Sequence, residues 1–315
     1  MKIAVLMGGM SREREVSLRS GSNVADSLIK LGHQVEKVDV GPDLAIRLNE
    51  IKPDLAFLAL HGKFGEDGTV QGLLEIMGIP YTASGLTSSA VCMNKILTKK
   101  IMTYEGIPNA PFVAVNWRRE GVTPEAFAER VMREIGVPVV IKPATEGSTI
   151  GTSIVHGADA LIEAIREAFE HDSEVLAEKF ITGVEVTAGI LGNQEPEAFP
   201  LIEVVSETGV YDYQSKYTPG QSHHIIPARV SEAVTQLVQG LALKAFLAFG
   251  CRGTARVDFI IDEQGQPWAL EVNTIPGMTA VSLYPDGAKH HGLAYDDLVA
   301  RMVALACENW QVDVK

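Results

Sequence analysis

Residues 2–93 alternate short apolar runs with helix-compatible stretches, and this alternation restricts the fold more than any other feature of the chain. "KIAVLM" leads to a polar, helix-like segment at 13–31. Then come "HQVEKVDV", "IKPDLAFLALHG", the helix-like "GTVQGLLEIMG" and the short "IPYTAS". Strands separated by helices cannot be joined by tight turns, so they lie parallel with right-handed crossovers. Ligands of such sheets gather beyond the carboxyl ends of the strands. Two loops stand there, "GGMSRERE" after the first run and "HGKFGEDG" after "LAFLAL". Taken alone, the glycines are ordinary turn residues. Glu13 and Glu15 are ordinary acids at a helix start.

From about Cys92 the texture changes. "NKILTKKIMTYEG" reads as a basic amphipathic helix, followed by "IPNAPFVAV" and helix through 134. The strand "PVVIKP", the glycine-containing "ATEGSTIGTSIV", a helix near 159–170 and the strand "EVLAEKFI" complete an α+β unit. "TGVEVTAGILG" opens a third region with two hairpins, a polar loop at 211–224, and helices at 231–249 and 295–308. The expected division is 1–93, 94–180 and 181–315. A length of 315 residues accommodates three cores.

The net charge of −13 argues against nucleic acid as a partner, though a pocket can be locally basic. No apolar run approaches the ~20 residues of a membrane helix. The apolar core of "MKIAVLMGGM" is too short for a signal peptide, so a cytoplasmic location is expected. Cys92, Cys251 and Cys307 match no metal or redox spacing and read as packed thiols.

The chemistry concentrates in "VDFIIDEQGQPWALEVNT". Two apolar runs flank a turn cluster, which makes a hairpin. Closure about Gln264-Gly265 pairs Asp258 with Glu271 and Arg256 with Asn273. With a side-chain period of two, all four share one face. Carboxylates on a half-buried sheet are costly unless something positive offsets their desolvation. Asp258, Glu271 and Asn273 offer only oxygen donors, which suits Mg²⁺ and not Zn²⁺. The bland alternative is a polar cluster satisfied by Arg256.

Other residues point to phosphate. Lys142 ends an apolar strand before a glycine-punctuated, hydroxyl-bearing loop that could offer backbone N–H groups. Lys95 opens the basic helix, where a solvated face is the bland reading. Glu178, Lys179 and Glu185 interrupt apolar sequence, as nucleotide-site residues would. A P-loop is absent, and so is a dinucleotide fingerprint. "YDYQSKYTPGQSHHIIPA" has the length and polarity of a lid. His223 and His224, adjacent on extended chain, point oppositely and are not a shared metal pair.

Together "GGMSREREVSLRSG", "LHGKFGEDGTVQG", "IKPATEGSTIG", "YDYQSKY", "RVDF" and "LEVNTIPGMTAVSL" resemble the D-alanine–D-alanine ligases of the ATP-grasp superfamily, in order along essentially the whole chain. The resemblance implies an α/β and α+β three-domain architecture, with an N-terminal parallel-sheet, Rossmann-like domain. It implies ATP gripped between the central and C-terminal domains. Lys95, Lys142 and Lys216 would contact phosphates, the Glu178–Lys179 strand adenine, and Glu185 ribose. Asp258, Glu271 and Asn273 would hold two Mg²⁺ ions, with Mn²⁺ as a substitute.

Glu13 would take the ammonium of the first D-alanine, with His61 nearby. Arg256 and the Gly277 N–H would form an oxyanion hole, and Ser282 and Leu283 would receive the second D-alanine. Ser148, Tyr217 and Glu13 would form a hydrogen-bonded set fastening the lid. Tyr217 goes, in this resemblance, with D-alanine and not D-lactate as second substrate. A homodimer taking only small-molecule substrates is also implied. The rivals are another carboxylate–amine ligase of this superfamily, or a non-catalytic nucleotide-binding regulator.

Overall fold

The computed structural model describes residues 1–147, 150–206 and 222–311. The first sheet is parallel, with β1 (Lys2–Met7) between β2 (Gln34–Asp39) and β3 (Leu55–Leu58). Helices α1 (Arg14–Lys30), α2 (Leu44–Ile51) and α3 (Thr69–Met77) alternate with these strands. The alternation is therefore as read. "IPYTAS" is not a fourth strand: only a single bridge, Ala56 to Tyr81, joins it to the sheet. Short helix α2 and the following α4 (Leu86–Met93) were not read from the sequence.

Helix α5 (Lys95–Tyr104) leads into the antiparallel second sheet. Its strands β4 (Phe112–Asn116), β5 (Val139–Pro143), β6 (Ser153–Val155) and β7 (Glu174–Lys179) stand in the order β4-β7-β5-β6. The single-turn α6 (Trp117–Glu120) precedes α7 (Pro124–Glu134) and α8 (Leu161–His171). Strand alternation divides the work of this sheet. Val113, Val115, Val139, Ile141, Val175 and Ala177 face a core with Phe127 and Ile165 of α7 and α8. The opposite face offers Phe112, Ala114 and Leu176 to Ile96 of α5.

The third sheet is antiparallel in the order β11-β10-β8-β12-β13, with the short β9 beside β8. Its strands are β8 (Val184–Gly192), β9 (Glu197–Ala198), β10 (Ile202–Ser206), β11 (Ser222–Ile225), β12 (Gly253–Ile261) and β13 (Pro267–Asn273). Ala255, Val257, Phe259 and Ile261 of β12 are buried with Val238, Ala242 and Phe246 of α9 (Glu232–Ala248). Each large apolar side chain so buried contributes about 1.5–3 kcal/mol. The intervening Arg256, Asp258 and Ile260 are left for the other face, as period two requires.

Helices α10 (Leu283–His290) and α11 (Tyr295–Trp310) turn back onto the first sheet. Ala288, Leu298, Met302 and Leu305 share one core with Ile3, Val5 and Phe57. Among the described residues, no helix is long and apolar enough to cross a membrane. All three cysteines are free and buried. Although far apart in sequence, Cys92 and Cys251 meet, and a thiol–thiol hydrogen bond pushes the Cys92 thiol pKa up.

Candidate active site

The hairpin at β12 and β13 has the expected pairs, Arg256 with Asn273 and Asp258 with Glu271. Beyond them the register shifts, so that Phe259 faces Ala269 and Leu270 is an extra residue. This bulge, which symmetric closure does not anticipate, lets Leu270 line the same cavity as Ile260 and Asp258. The Arg256 guanidinium grips Asp258 with two hydrogen bonds of 2.8 Å, and the Thr187 hydroxyl donates to the same carboxylate at 2.5 Å. Asn273 Oδ1 accepts from the Ile275 N–H at 2.9 Å. The donor set is all oxygen and lies on one face, which fits a hard cation in type. Full use of Asp258 by such a cation requires Arg256 to release it. Among the described residues, no cluster of three acids, histidines or cysteines has metal-site geometry.

Two adjoining cavities collect the sequence-derived candidates. The smaller, about 130 Å³, is lined by Glu13, His61, Lys95, Arg256, Glu271, Asn273, Gly277, Ser282 and Leu283 among others. The larger, about 490 Å³, lies between the second and third sheets and carries Lys95, Lys142, Glu178, Lys179, Glu185, Asp258 and Glu271. Lys95 and Glu271 line both. Ser148, Lys216 and Tyr217 lie outside the described residues.

Glu13 sits at the start of α1 and is only 8% exposed. Its position explains two glycines in distant loops. A Cβ on Gly62 would lie 2.7 Å from Glu13 Oε2, and one on Gly147 would lie 2.9 Å away. Backbone from both loops thus closes on the carboxylate, and at Gly62 a φ of +69° further favours glycine. The Gly62 loop is also tied to the loop before α1, where the Ser11 hydroxyl donates to the His61 carbonyl at 2.7 Å. His61 is buried, with a ring nitrogen 3.3 Å from Ser20 Oγ. Burial holds its pKa below the usual histidine range, although Glu13 opposes the shift.

At the far wall Gly277 again admits a close neighbour, since a Cβ there would lie 2.9 Å from Ser282 Oγ. Ser282 caps α10 by position without bonding its N–H groups. Its oxygen instead accepts from the Thr279 N–H at 3.0 Å. The first N–H groups of α10 remain as a locus for a carboxylate beside the cavity.

The larger cavity differs from expectation in its charges. Glu178, which lines it, is 2% exposed and held between two lysines. Lys142 Nζ reaches one carboxylate oxygen, and Lys99 Nζ stands 2.6 Å from the other. This pairing holds Glu178 at a pKa of about 2, against the opposing effect of burial. Lys99 was missed in the sequence, where the basic helix read as a solvated face. The four-residue spacing of Lys95 and Lys99 puts them on one helix face, but it does not say which face is buried.

Glu66 was missed as well. It lines the smaller cavity, and its carboxylate accepts from the Gly62 N–H at 2.5 Å. Burial, with Glu13 adding to it, raises its pKa well above the carboxylate range. Nothing but membership of the "HGKFGEDG" loop could have marked it. His224 pairs with Asp286 at 3.0 Å.

Residues 43–84 match the family described as D-ala D-ala ligase N-terminus, and 101–304 match D-ala D-ala ligase C-terminus. The D-alanine–D-alanine ligase of Pelotomaculum thermopropionicum is 53% identical over 311 residues, 98% of each chain. That of Moorella thermoacetica is 50% identical over 308 residues, covering 98% of this chain and all of its own. Among solved structures, the D-alanine–D-alanine ligase of Bacillus anthracis superposes with a TM-score of 0.86 at 35% identity, covering 99% of both chains. The VanG D-Ala:D-Ser ligase of Enterococcus faecalis gives 0.83 at 32% identity, over 97% of this chain and 99% of its own. The chain belongs to the D-alanine–D-alanine ligase family.

Proposed function

We propose that this chain joins two D-alanine molecules into D-alanyl-D-alanine, converting ATP to ADP and phosphate, for synthesis of peptidoglycan precursors. The observation that carries the reading is the pair of adjoining cavities, sharing Lys95 and Glu271, in a chain of this family. The larger, about 490 Å³, carries Lys95, Lys142 and Lys179 for a nucleotide, and the smaller, about 130 Å³, takes the amino acids.

A carboxylate is a poor acyl donor, so the first D-alanine is activated by taking the γ-phosphoryl group of ATP on its carboxylate oxygen. Glu13 holds its ammonium, beside a His61 ring that burial keeps neutral. Lys95 and Lys142 offset phosphate charge, with Lys216 assigned to the same task. Lys179 and the backbone of β7 accompany adenine, and Glu185 the ribose. Asp258, Glu271 and Asn273 would hold two Mg²⁺ ions, or Mn²⁺ in their place, which when bound neutralise phosphate charge.

The second D-alanine is received by Ser282 and the start of α10 at Leu283, and its neutral amine attacks the acyl phosphate. Arg256 and the Gly277 N–H stabilise the tetrahedral oxyanion. Phosphate departs and a peptide bond remains. Water must be excluded meanwhile, which is the role assigned to a lid fastened by Ser148 and Tyr217. The D-Ala:D-Ser ligase shares this fold, so residues of the second-substrate region decide the acceptor. Tyr217 supports D-alanine over D-lactate. Further parts of the reading are three units at 1–93, 94–180 and 181–315, a cytoplasmic location and a homodimer.

The test is phosphate release from ATP and Mg²⁺ with D-alanine, beside L-alanine and no-amino-acid controls, with product mass read in parallel. Release that requires D-alanine and tracks the dipeptide supports the proposal. Turnover only with another acid or amine removes the substrate assignment. ATP binding without turnover leaves the regulator.

A further inference from the structure

The larger cavity presents an electrostatic difficulty. It is read as a site for polyphosphate, yet Glu178, Glu185, Glu203, Asp258 and Glu271 line it against Lys95, Lys142, Lys179 and Arg229, so its cations are outnumbered. Lys142, the cation at the end of β5, is in direct contact with one of them, Glu178. An ammonium paired one-to-one with a carboxylate is nearly neutral at a distance, and would attract a phosphate weakly.

Behind this pair stands Lys99, which lines neither cavity. It projects from α5, is 2% exposed and sits over the Phe112 ring, 5.7 Å from its centre. Its Nζ stands 2.6 Å from the second Glu178 oxygen, and this ion pair is what holds the buried charge. Burying an ammonium costs several kcal/mol unless it is compensated, and a leucine or methionine would fill the space without that cost. Three groups therefore form a row, positive–negative–positive, running from the sheet–helix interior to the cavity wall.

We infer that Lys99 is a positioning residue for nucleotide phosphate: by occupying the inner oxygen of Glu178, it leaves the row with one net positive charge, expressed at Lys142. Glu178 can then fix the Lys142 side chain without cancelling it. Lys99 touches no substrate in this arrangement. It acts through Glu178 and Lys142. The inference rests on the larger cavity being the ATP site.

The charge count supplies the test. The row carries +1 in the native protein, 0 in Lys99→Met, and +1 again in Lys99→Met/Glu178→Gln. Dissociation constants for ATP, ADP and adenosine are measured by calorimetry on the three full-length proteins, together with the KM for D-alanine. The expected result is a loss of ATP and ADP affinity in Lys99→Met of roughly tenfold or more, from one unit charge at close range. Adenosine affinity and the D-alanine KM stay within about twofold, on the same charge argument. Most of the loss is recovered in the double variant when it is read as the ratio of ATP to adenosine affinity, in which any contact of Glu178 with the nucleoside cancels.

A merely structural lysine predicts otherwise: adenosine weakens in parallel with ATP, and the double variant is no better than the single one. Either result overturns the inference, as does unchanged ATP affinity in a folded Lys99→Met. Should Lys99→Met not fold, the double variant decides. A ratio of ATP to adenosine affinity near native supports the charge count, and loss of that ratio in a folded protein overturns it. Failure of the native protein to bind ATP is a separate outcome, and it removes the ATP reading itself.

Discussion

At the scale of the residue, two side chains carry opposite kinds of consequence. Arg256 serves Asp258 through two hydrogen bonds and is assigned to the oxyanion. Its replacement in Arg256→Ala removes a positioned donor and leaves Asp258 with an uncompensated charge. Loss of a single oxyanion donor lowers kcat by roughly 10²–10³-fold, to be read from steady-state phosphate release.

Glu178 offers a pH test. Its folded pKa, about 2, lies below the ordinary 4.5 because Lys142 and Lys99 favour the carboxylate. The stabilisation it contributes is therefore complete above about 4.5 and is lost as pH falls towards 2. Denaturant unfolding of the native protein should show a decline in stability between pH 5 and 3 that is smaller in Glu178→Gln. Equal slopes in the two proteins would rule out this contribution.

At the scale of the element, α5 shows how a local signal places a functional group. Asn94 caps it, its side-chain oxygen accepting from the N–H groups of Ile96 and Leu97 at 3.0 and 3.1 Å. It also donates to Glu174 at 3.0 Å, tying the helix start to β7. Asn94→Ala should cost about 1 kcal/mol of stability, measured by denaturant unfolding. It should also weaken ATP binding, since Lys95 is the first residue of the helix.

Strand β1 and helix α1 were legible because each has a strong period and clear flanks. Helices α2, α4 and α10 were not, since each is eight residues long and too short to repeat its pattern. The bulge at Leu270 escaped for another reason. Alternation is compatible with either register, and only packing of the β12–β13 pair selects one.

At the scale of the whole molecule, the site at Glu13 depends on the far end of the chain. Leu305 of α11 is 1% exposed in the core it shares with Ile3, Val5 and Phe57. Leu305→Ala should cost about 2–5 kcal/mol, measured by denaturant unfolding. A change on the surface of the same helix, such as Arg301→Ala, should cost much less, because its ion pair with Glu308 is half exposed.

The order of motifs, the strand–helix alternation, the facing pairs Arg256–Asn273 and Asp258–Glu271, and the chemical type of the donors were all written in the sequence. They depend on local periodicity and on side-chain identity, both of which are read residue by residue. Tertiary structure alone decided that Lys99, not Lys100, is the buried cation of α5, and that Glu66 enters the smaller cavity. It alone brought Cys92 to Cys251 and Gly62 and Gly147 to Glu13. Each of those depends on what a second, distant segment places opposite a side chain. Burial and electrostatic environment are properties of that encounter, and a linear pattern does not contain them.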